Sequence, residues 1–433
     1  MNYPKALLYR FMGIDIVKVF SLNALSTFIR MLAGMISVKV VALIIGPVGI
    51  ALLGQLHNIS TILLGIANGG ISNGITKYVA EYKNDEDLTK SYISNALRIT
   101  VVSSLIVAVL LIGGSLYLSR FILLSDEYYY VFIVFGFTIA LFALNALLTS
   151  ILNGYKEFRL YVIVSICGTI IGLVYSLCLV IFWGLPGAMI NAVTFQSVMF
   201  FVTLWMCRKL PWMKKEYFIQ QYQRPIVKKY LGYSLMTITM IAMLPVAQML
   251  LRGYVISELS ASEAGIWEGM NRISGMYLGV ITTSFTIYYL PRLSEITDRV
   301  ELRNEIFRCY KVIIPLLLLI IISIFILRHF ILWLLFSPEF YSMSQLFSWQ
   351  LAGDFFKICS WLLAFLMVAK AKTKMFVATE ITFTLSYVLL SFMLLHYNGI
   401  VGLTQGYLCN TILYLFAMIV LFKKILFISP QNE

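Results

Sequence analysis

The stretch GIWEGMNRISGMYLGVITTSFTIYYLPRLSE, residues 265–295, is long and apolar enough to cross a bilayer as a helix. Within it a carboxylate and a guanidinium, Glu268 and Arg272, stand one helical turn apart. Beyond them Gly275, Gly279, Thr282 and Thr286 recur at spacings of four, three and four, which keeps them on one helical face. A second stripe with the same spacing, Thr61, Gly65, Asn68 and Ser72, lies about half the chain earlier. Each stripe is followed nine residues on by a carboxylate, Glu81 and Glu295. Two matching polar faces in an otherwise apolar chain predict a shared polar cavity.

The 433 residues are 60% hydrophobic and 12% charged, with a mean hydropathy of +0.88. A soluble domain carries about 25% charged residues, so the fold class is an all-α polytopic membrane protein. The ~20-residue bilayer criterion predicts about twelve spans, near 21–45, 50–78, 92–117, 128–153, 159–183, 187–207, 230–254, 264–289, 308–327, 345–369, 374–395 and 401–422. The net charge of +13 follows the positive-inside rule and does not imply a nucleic-acid partner. Alternate connections hold Lys83 and Lys90, then Lys156 and Arg159, then a basic run from Arg208 to Lys229, then Arg292 to Arg308, then Lys370 to Lys374. The opposite connections are almost bare of cations, with Arg120, Arg252 and Arg328 as exceptions. The asymmetry places both termini in the cytoplasm and requires an even number of spans. The N-terminus has no cleavable signal pattern.

The chain also repeats itself. Gly184-Leu-Pro-Gly187 corresponds to Gly399-Ile-Val-Gly402, and Arg159-Leu-Tyr161 to Lys374-Met-Phe376, both pairs displaced by the same interval. Residues 1–212 are expected to form one six-helix half, 213–229 a basic cytoplasmic linker, and 230–433 a second half of the same orientation. A pseudo-twofold axis along the membrane normal then puts a site where the halves meet. The linker reads as a solvated connector touching anionic lipid.

Each charge within a span needs a partner, water or a use, because an isolated one costs about 2.5–3.5 kcal/mol on the insertion scale. Lys39 and Arg252 occupy matching places in spans 1 and 7 and either line the cavity or snorkel to the outer interface. Arg30 lies deeper in span 1; nine residues from Lys39 it faces the other way unless the helix bends, and Gly34 permits a bend. Pro245 should kink span 7. Glu268 with Arg272 and Asp354 with Lys357 have the spacing of intrahelical pairs, and are read as structural pairs or ion-coupling groups. Glu380 can face Lys372 or Lys374.

Several chemistries have no residues to carry them. There is no G-x-x-x-x-G-K-[ST] loop and no H-E-x-x-H. The six cysteines and three histidines show no ligand spacing, so neither a metal, a disulfide nor a cofactor is expected. The outer connections are too short for an extracytoplasmic catalytic domain, which speaks against a polymerase or other membrane enzyme. Transport remains. The candidate substrate-binding residues are Arg30, Lys39, Arg252, Arg272, Asn68 and Thr282. Their cations suit phosphate or carboxylate, and their amides and hydroxyls suit sugars. A polyprenyl-pyrophosphate-linked oligosaccharide has both, with a tail that stays in the membrane lipid; an amphipathic drug is the alternative cargo.

Four motifs carry a family resemblance: Asn73-Gly-Ile-Thr-Lys-Tyr-Val-Ala-Glu81, Gly265-Ile-Trp-Glu-Gly269, Tyr289-Leu-Pro-Arg-Leu-Ser294 and Trp349-Gln-Leu-Ala-Gly-Asp-Phe-Phe-Lys357. They are weak singly and fairly specific together. From about residue 20 to 420 the chain resembles the Wzx-type flippases of the multidrug/oligosaccharidyl-lipid/polysaccharide (MOP) superfamily, and most closely the enterobacterial common antigen branch. The resemblance implies a bacterial inner-membrane flippase for undecaprenyl-pyrophosphate-linked repeat units, with a V-shaped MATE-like arrangement of two six-helix halves and alternating access. It implies a polysaccharide polymerase and a chain-length regulator as candidate partners. Arg30, Lys39, Arg252, Asp354 and Lys357 match charged positions of the family pattern. Glu268 and Arg272 depart from it, as the pattern is uncharged there, and this leaves the identity of the sugar open. The rival reading is a cation-coupled drug or metabolite antiporter of the same superfamily, with Glu268 or Asp354 as its coupling carboxylate.

Overall fold

The computed structural model describes the backbone of residues 3–285, 289–296, 298–370 and 372–427, with side chains from residue 26 onward except at 233, 235, 236, 284, 290 and 291. Among these residues every regular element is helical. The chain divides into two compact units, residues 1–44 with 56–242, and residues 45–55 with 243–433.

The first unit is built from α1 (Tyr3–Ala67), α2 (Ser72–Tyr82), α3 (Glu86–Gly113), α4 (Ser115–Ile122), α5 (Tyr129–Gly154), α6 (Phe158–Cys207) and the start of α7 (Arg224–Glu258). The second holds the rest of α7, then α8 (Ala261–Ser284), α9 (Leu290–Glu295), α10 (Arg299–Ile326), α11 (Arg328–Leu335), α12 (Phe347–Ala369), α13 (Thr373–Asn398), α14 (Ile400–Leu421) and α15 (Lys423–Leu426). Among the described residues, nine helices are long and apolar enough to cross a membrane. Two of them, α1 and α6, are each broken by a non-helical glycine, Gly46 and Gly184. Counting their arms separately, and adding the more polar α8, gives twelve spans among the described residues. The protein is a polytopic all-α membrane protein.

The repeat is written into the backbone of each unit. Gly184 (φ 58°, ψ −132°) and Gly399 (φ 56°, ψ −144°) turn the chain where an L side chain is strained. Three residues on, a Cβ at Gly187 would lie 1.9 Å from the carbonyl oxygen of Leu179, and one at Gly402 would lie 2.1 Å from that of Leu394. Glycine at both places lets two antiparallel arms touch backbone to backbone. The next crossing repeats too. Thr138 Oγ1 on α5 donates to the Val193 carbonyl of α6 at 3.1 Å. Their counterparts in the second unit, Gly353 on α12 and Leu408 on α14, also lie against each other.

Three expectations from the sequence are modified. The stripe Thr61, Gly65, Asn68 and Ser72 does not stay on one helix. Gly69 and Gly70, both at φ +66°, end α1 and start α2 afresh, and a Cβ at Gly70 would meet the Ser234 carbonyl at 2.8 Å. The break in α1 falls at Gly46, ahead of Pro47, and the helix runs through Gly34 uninterrupted. The connector after α6 is a packed strap. Trp212 and Tyr217 are buried, Trp212 stacks on Tyr155, and Gln223 N donates to Asn95 Oδ1 of α3 at 3.1 Å. Ser94 Oγ on α3 donates to the Phe218 carbonyl at 3.0 Å, and Lys90 bridges Glu86 and Glu216 at 3.0 and 3.2 Å. The aromatic residues within this basic run are the signal that it packs.

Candidate functional site

In the second unit α7 carries Arg252 at 0% exposure. Its Nη1 donates to Gln55 Oε1 at 3.0 Å and its Nη2 to Glu268 Oε2. The other oxygen of Glu268 accepts from Arg272 Nε at 3.3 Å. Arg252 also lies over the Trp267 ring, 5.7 Å from its centroid. Residues 45–55 form one wall of this cluster. A Cβ on Gly54 would come within 2.7 Å of the Glu268 carboxyl carbon, and one on Gly265 within 1.8 Å of the Pro47 carbonyl oxygen. Glycine at both positions is what allows the close approach. The structure therefore joins Arg252, Glu268 and Arg272, three of the candidates, in one ion network. The i,i+4 pair was legible in the sequence; Arg252, on a different helix, was not.

Asp354 on α12 is also at 0% exposure. It accepts from Ser274 Oγ at 2.7 Å and from the Tyr277 hydroxyl, both on α8, and from the Tyr407 hydroxyl of α14 at 2.7 Å. Lys357 does not take up the pairing with Asp354 that their spacing suggested; no ion pair joins them among the described residues. Its ammonium lies 5.1 Å from the Trp361 ring centroid and 5.4 Å from that of Tyr407. Three hydroxyls already serve the carboxylate, and two rings face the lysine. Glu380 accepts from the Tyr414 hydroxyl at 3.5 Å. Tyr407→Phe deletes one hydrogen bond to a charged group and is expected to cost about 1.5–3 kcal/mol. A drop in the thermal midpoint of the detergent-solubilised protein reads it, and an unchanged midpoint refutes the network.

Thr282 Oγ1 bonds back to the Leu278 carbonyl on α8, while a Cβ at Gly275 or Gly279 would meet no atom of the described residues within 4 Å. Thr286 lies outside the described residues.

In the first unit Asn68 is buried, donates to Ser72 Oγ and accepts from Thr100 Oγ1 at 3.5 Å. Arg30 is exposed on α1, and its Nη2 donates to Ser165 Oγ of α6 at 2.8 Å. Lys39 is half-buried on the same arm, turned to the opposite side by its nine-residue spacing. Arg30 lines a cavity of 690 Å³ among α1, α5 and the two arms of α6. Asn145, Thr149, Asn191, Gln196 and Phe195 face it as well. Asn145 Nδ2 donates to Gln196 Oε1 at 2.9 Å, which fixes both amides. These amides were not among the candidates. Their signal was available: Asn145, Asn191 and Gln196 are uncharged polar groups inside strongly apolar spans, where each needs a partner.

Residues 16–297 match the family described as "Polysaccharide biosynthesis protein". The chain belongs to that family. The lipid III flippase of Escherichia coli (strain K12) is 27% identical over 393 residues, covering 90% of this chain and 94% of that one. The lipid III flippase of Shigella flexneri gives the same figures. The fold is that of the MOP superfamily. An inward-facing multidrug-resistance MATE transporter of that superfamily superposes with a TM-score of 0.75 at 14% identity, covering 92% of this chain and 95% of that one. The lipid II flippase MurJ, in an inward closed conformation, gives 0.75 at 15% identity over 92% and 87%.

Proposed function

We infer that this polysaccharide biosynthesis family member is a flippase that carries undecaprenyl-pyrophosphate-linked oligosaccharide repeat units, of O-antigen or a similar surface polysaccharide, from the cytoplasmic to the periplasmic leaflet of the inner membrane. The observation that carries the reading is the match to the lipid III flippases along nearly the whole of both chains. The chemistry of the first unit supports it. Arg30 offers a guanidinium suited to a pyrophosphate, beside amides and hydroxyls suited to sugars. Alternating access between two six-helix halves, residues 1–212 and 230–433 joined by the basic segment 213–229, through a central cation-lined cavity, is the mechanism we propose. Lys39, and Arg272 beyond its Glu268 contact, are the further cations offered to the cargo. The basic connections between spans favour cytoplasmic termini, and a polymerase and a chain-length regulator are the partners that would consume the product. The antiporter reading needs a carboxylate available to a coupling ion, whereas Glu268 and Asp354 are both occupied by protein donors.

Deletion of the gene is expected to remove one surface polymer and to leave its complete lipid-linked repeat unit on the cytoplasmic leaflet. Normal polymer with an altered drug profile would favour the antiporter, and repeat units accumulating on the periplasmic side would indicate a polymerase. Complementation with Arg30→Gln is expected to restore the protein to the membrane at wild-type level but less than about a tenth of the polymer, since one charge-assisted bond is worth about tenfold or more. Full polymer from that variant would remove Arg30 from the cargo site.

A further inference from the structure

The cavity of the first unit holds more unsatisfied chemistry than a packing defect would. Among the described residues its lining contains a single cation, Arg30, and no carboxylate or lysine. The Oδ1 atoms of Asn145 and Asn191 are buried without a hydrogen-bond partner among the described residues, and Asn145 is only 6% exposed. Buried acceptors of this kind are normally satisfied, and these two on one cavity wall have no donor among the described residues. The Asn145–Gln196 bond leaves the Gln196 amide nitrogen as a donor beside the Asn145 acceptor. Phe142 and Phe195 add apolar ring faces to the same lining. Alternating donors and acceptors next to aromatic faces match a pyranose, whose hydroxyls both give and accept while its C–H face is apolar. Among the described residues this lining offers a cationic amphiphile no counter-charge.

The repeat supplies a second, independent observation. The interval that takes Gly184 to Gly399 also takes Ser176 to Ser391 and Asn191 to Gly406. In the second unit a Cβ on Gly406 would lie 2.7 Å from the Ser391 Cα, so α13 and α14 close on each other at that level. In the first unit the equivalent places carry Ser176 and Asn191, and both line the cavity. The equivalent place is closed in one unit and carries an amide on a cavity wall in the other.

We propose that this cavity is a carbohydrate-reading subsite, in which Asn145, Asn191 and Gln196 bind sugar hydroxyls and select the repeat unit carried. The proposal rests on the flippase reading and deepens it. The amides distinguish the glycan, while Arg30 at the same cavity holds an anionic group common to every cargo.

The test uses the full-length protein in nanodiscs, titrated with undecaprenyl pyrophosphate and with the same lipid bearing the repeat unit isolated from the deletion strain. Wild-type protein is expected to prefer the sugar-bearing lipid. Asn191→Leu and Gln196→Leu are expected to weaken that lipid by about tenfold or more and to leave the bare pyrophosphate lipid within about twofold. Asn191→Ala serves if leucine impairs assembly, and equal unfolding midpoints separate recognition from folding. Variants that keep the wild-type preference, or that lose both lipids equally, overturn the subsite alone. Wild-type protein that binds neither lipid overturns the flippase reading and the subsite with it.

Discussion

Arg252→Leu is expected to destabilise the second unit by about 3–5 kcal/mol, the cost of leaving a buried charge without its partner. The substitution leaves Glu268 with only Arg272, at 3.3 Å, and deprives Gln55 of its donor. The readout is the unfolding midpoint of detergent-solubilised protein, together with its level in the membrane. Glu268→Gln is expected to act in the same direction, since it leaves two guanidinium groups facing a neutral amide. The double variant Arg252→Met with Glu268→Met should recover much of the loss, because a buried pair replaced by apolar groups of similar volume is often neutral. If Arg252→Leu unfolds at the wild-type midpoint, the network does not hold the unit together. The contrast with Arg30 is informative. Arg30 is exposed and bonds one hydroxyl, so its loss should impair cargo handling and leave the midpoint in place.

Gly187→Ala and Gly402→Ala are each expected to cost about 3 kcal/mol or more. A methyl at either place would sit 1.9 or 2.1 Å from a backbone carbonyl oxygen, and a backbone cannot swing aside as a side chain can. The paired arms would have to part along their length. The matched control is Gly232→Ala on α7, where no atom of the described residues lies within 4 Å of the new methyl. There the higher helix propensity of alanine should raise stability slightly, by about 0.5–1 kcal/mol. Equal effects at Gly187 and Gly232 would mean that the corner is looser than its geometry implies.

These corners were the most legible part of the sequence. Gly184-Leu-Pro-Gly187 and Gly399-Ile-Val-Gly402 both carry a residue type that only a positive φ and a close approach require, so their recurrence about half a chain apart pointed to a structural repeat. The spans were legible because hydrocarbon demands long apolar helices. The ion network was legible only in part. Helical periodicity says which residues share a face but not which helix comes to meet it, so Glu268 with Arg272 was visible and Arg252 with Gln55 was not. The same limit hid the hydroxyls around Asp354, which come from α8 and α14. The interruption at Gly69 and Gly70 was masked by the regular spacing of the stripe that runs across it, although two adjacent glycines are a breaker signal. Asn145, Asn191 and Gln196 line the first cavity but carry no charge, so the insertion cost that singles out Arg30 and Lys39 does not mark them.

The composition of the two units has a consequence for how the chain is made. The first unit includes the start of α7, and Tyr230 there is fully buried against Tyr78 and Tyr92, with ring centroids 5.5 and 5.8 Å apart. The second unit includes residues 45–55, which are synthesised long before the rest of it. A ribosome that has inserted six spans has therefore not yet supplied everything the first unit needs. That unit can close only after the strap has been laid along α3 and the seventh span has entered the bilayer. Meanwhile residues 45–55 wait in the membrane for Arg252 and Glu268 to arrive. Maturation follows the order of translation without being divisible by it, and a chain stopped after Cys207 lacks both the strap and the Tyr230 ring that the first unit packs against.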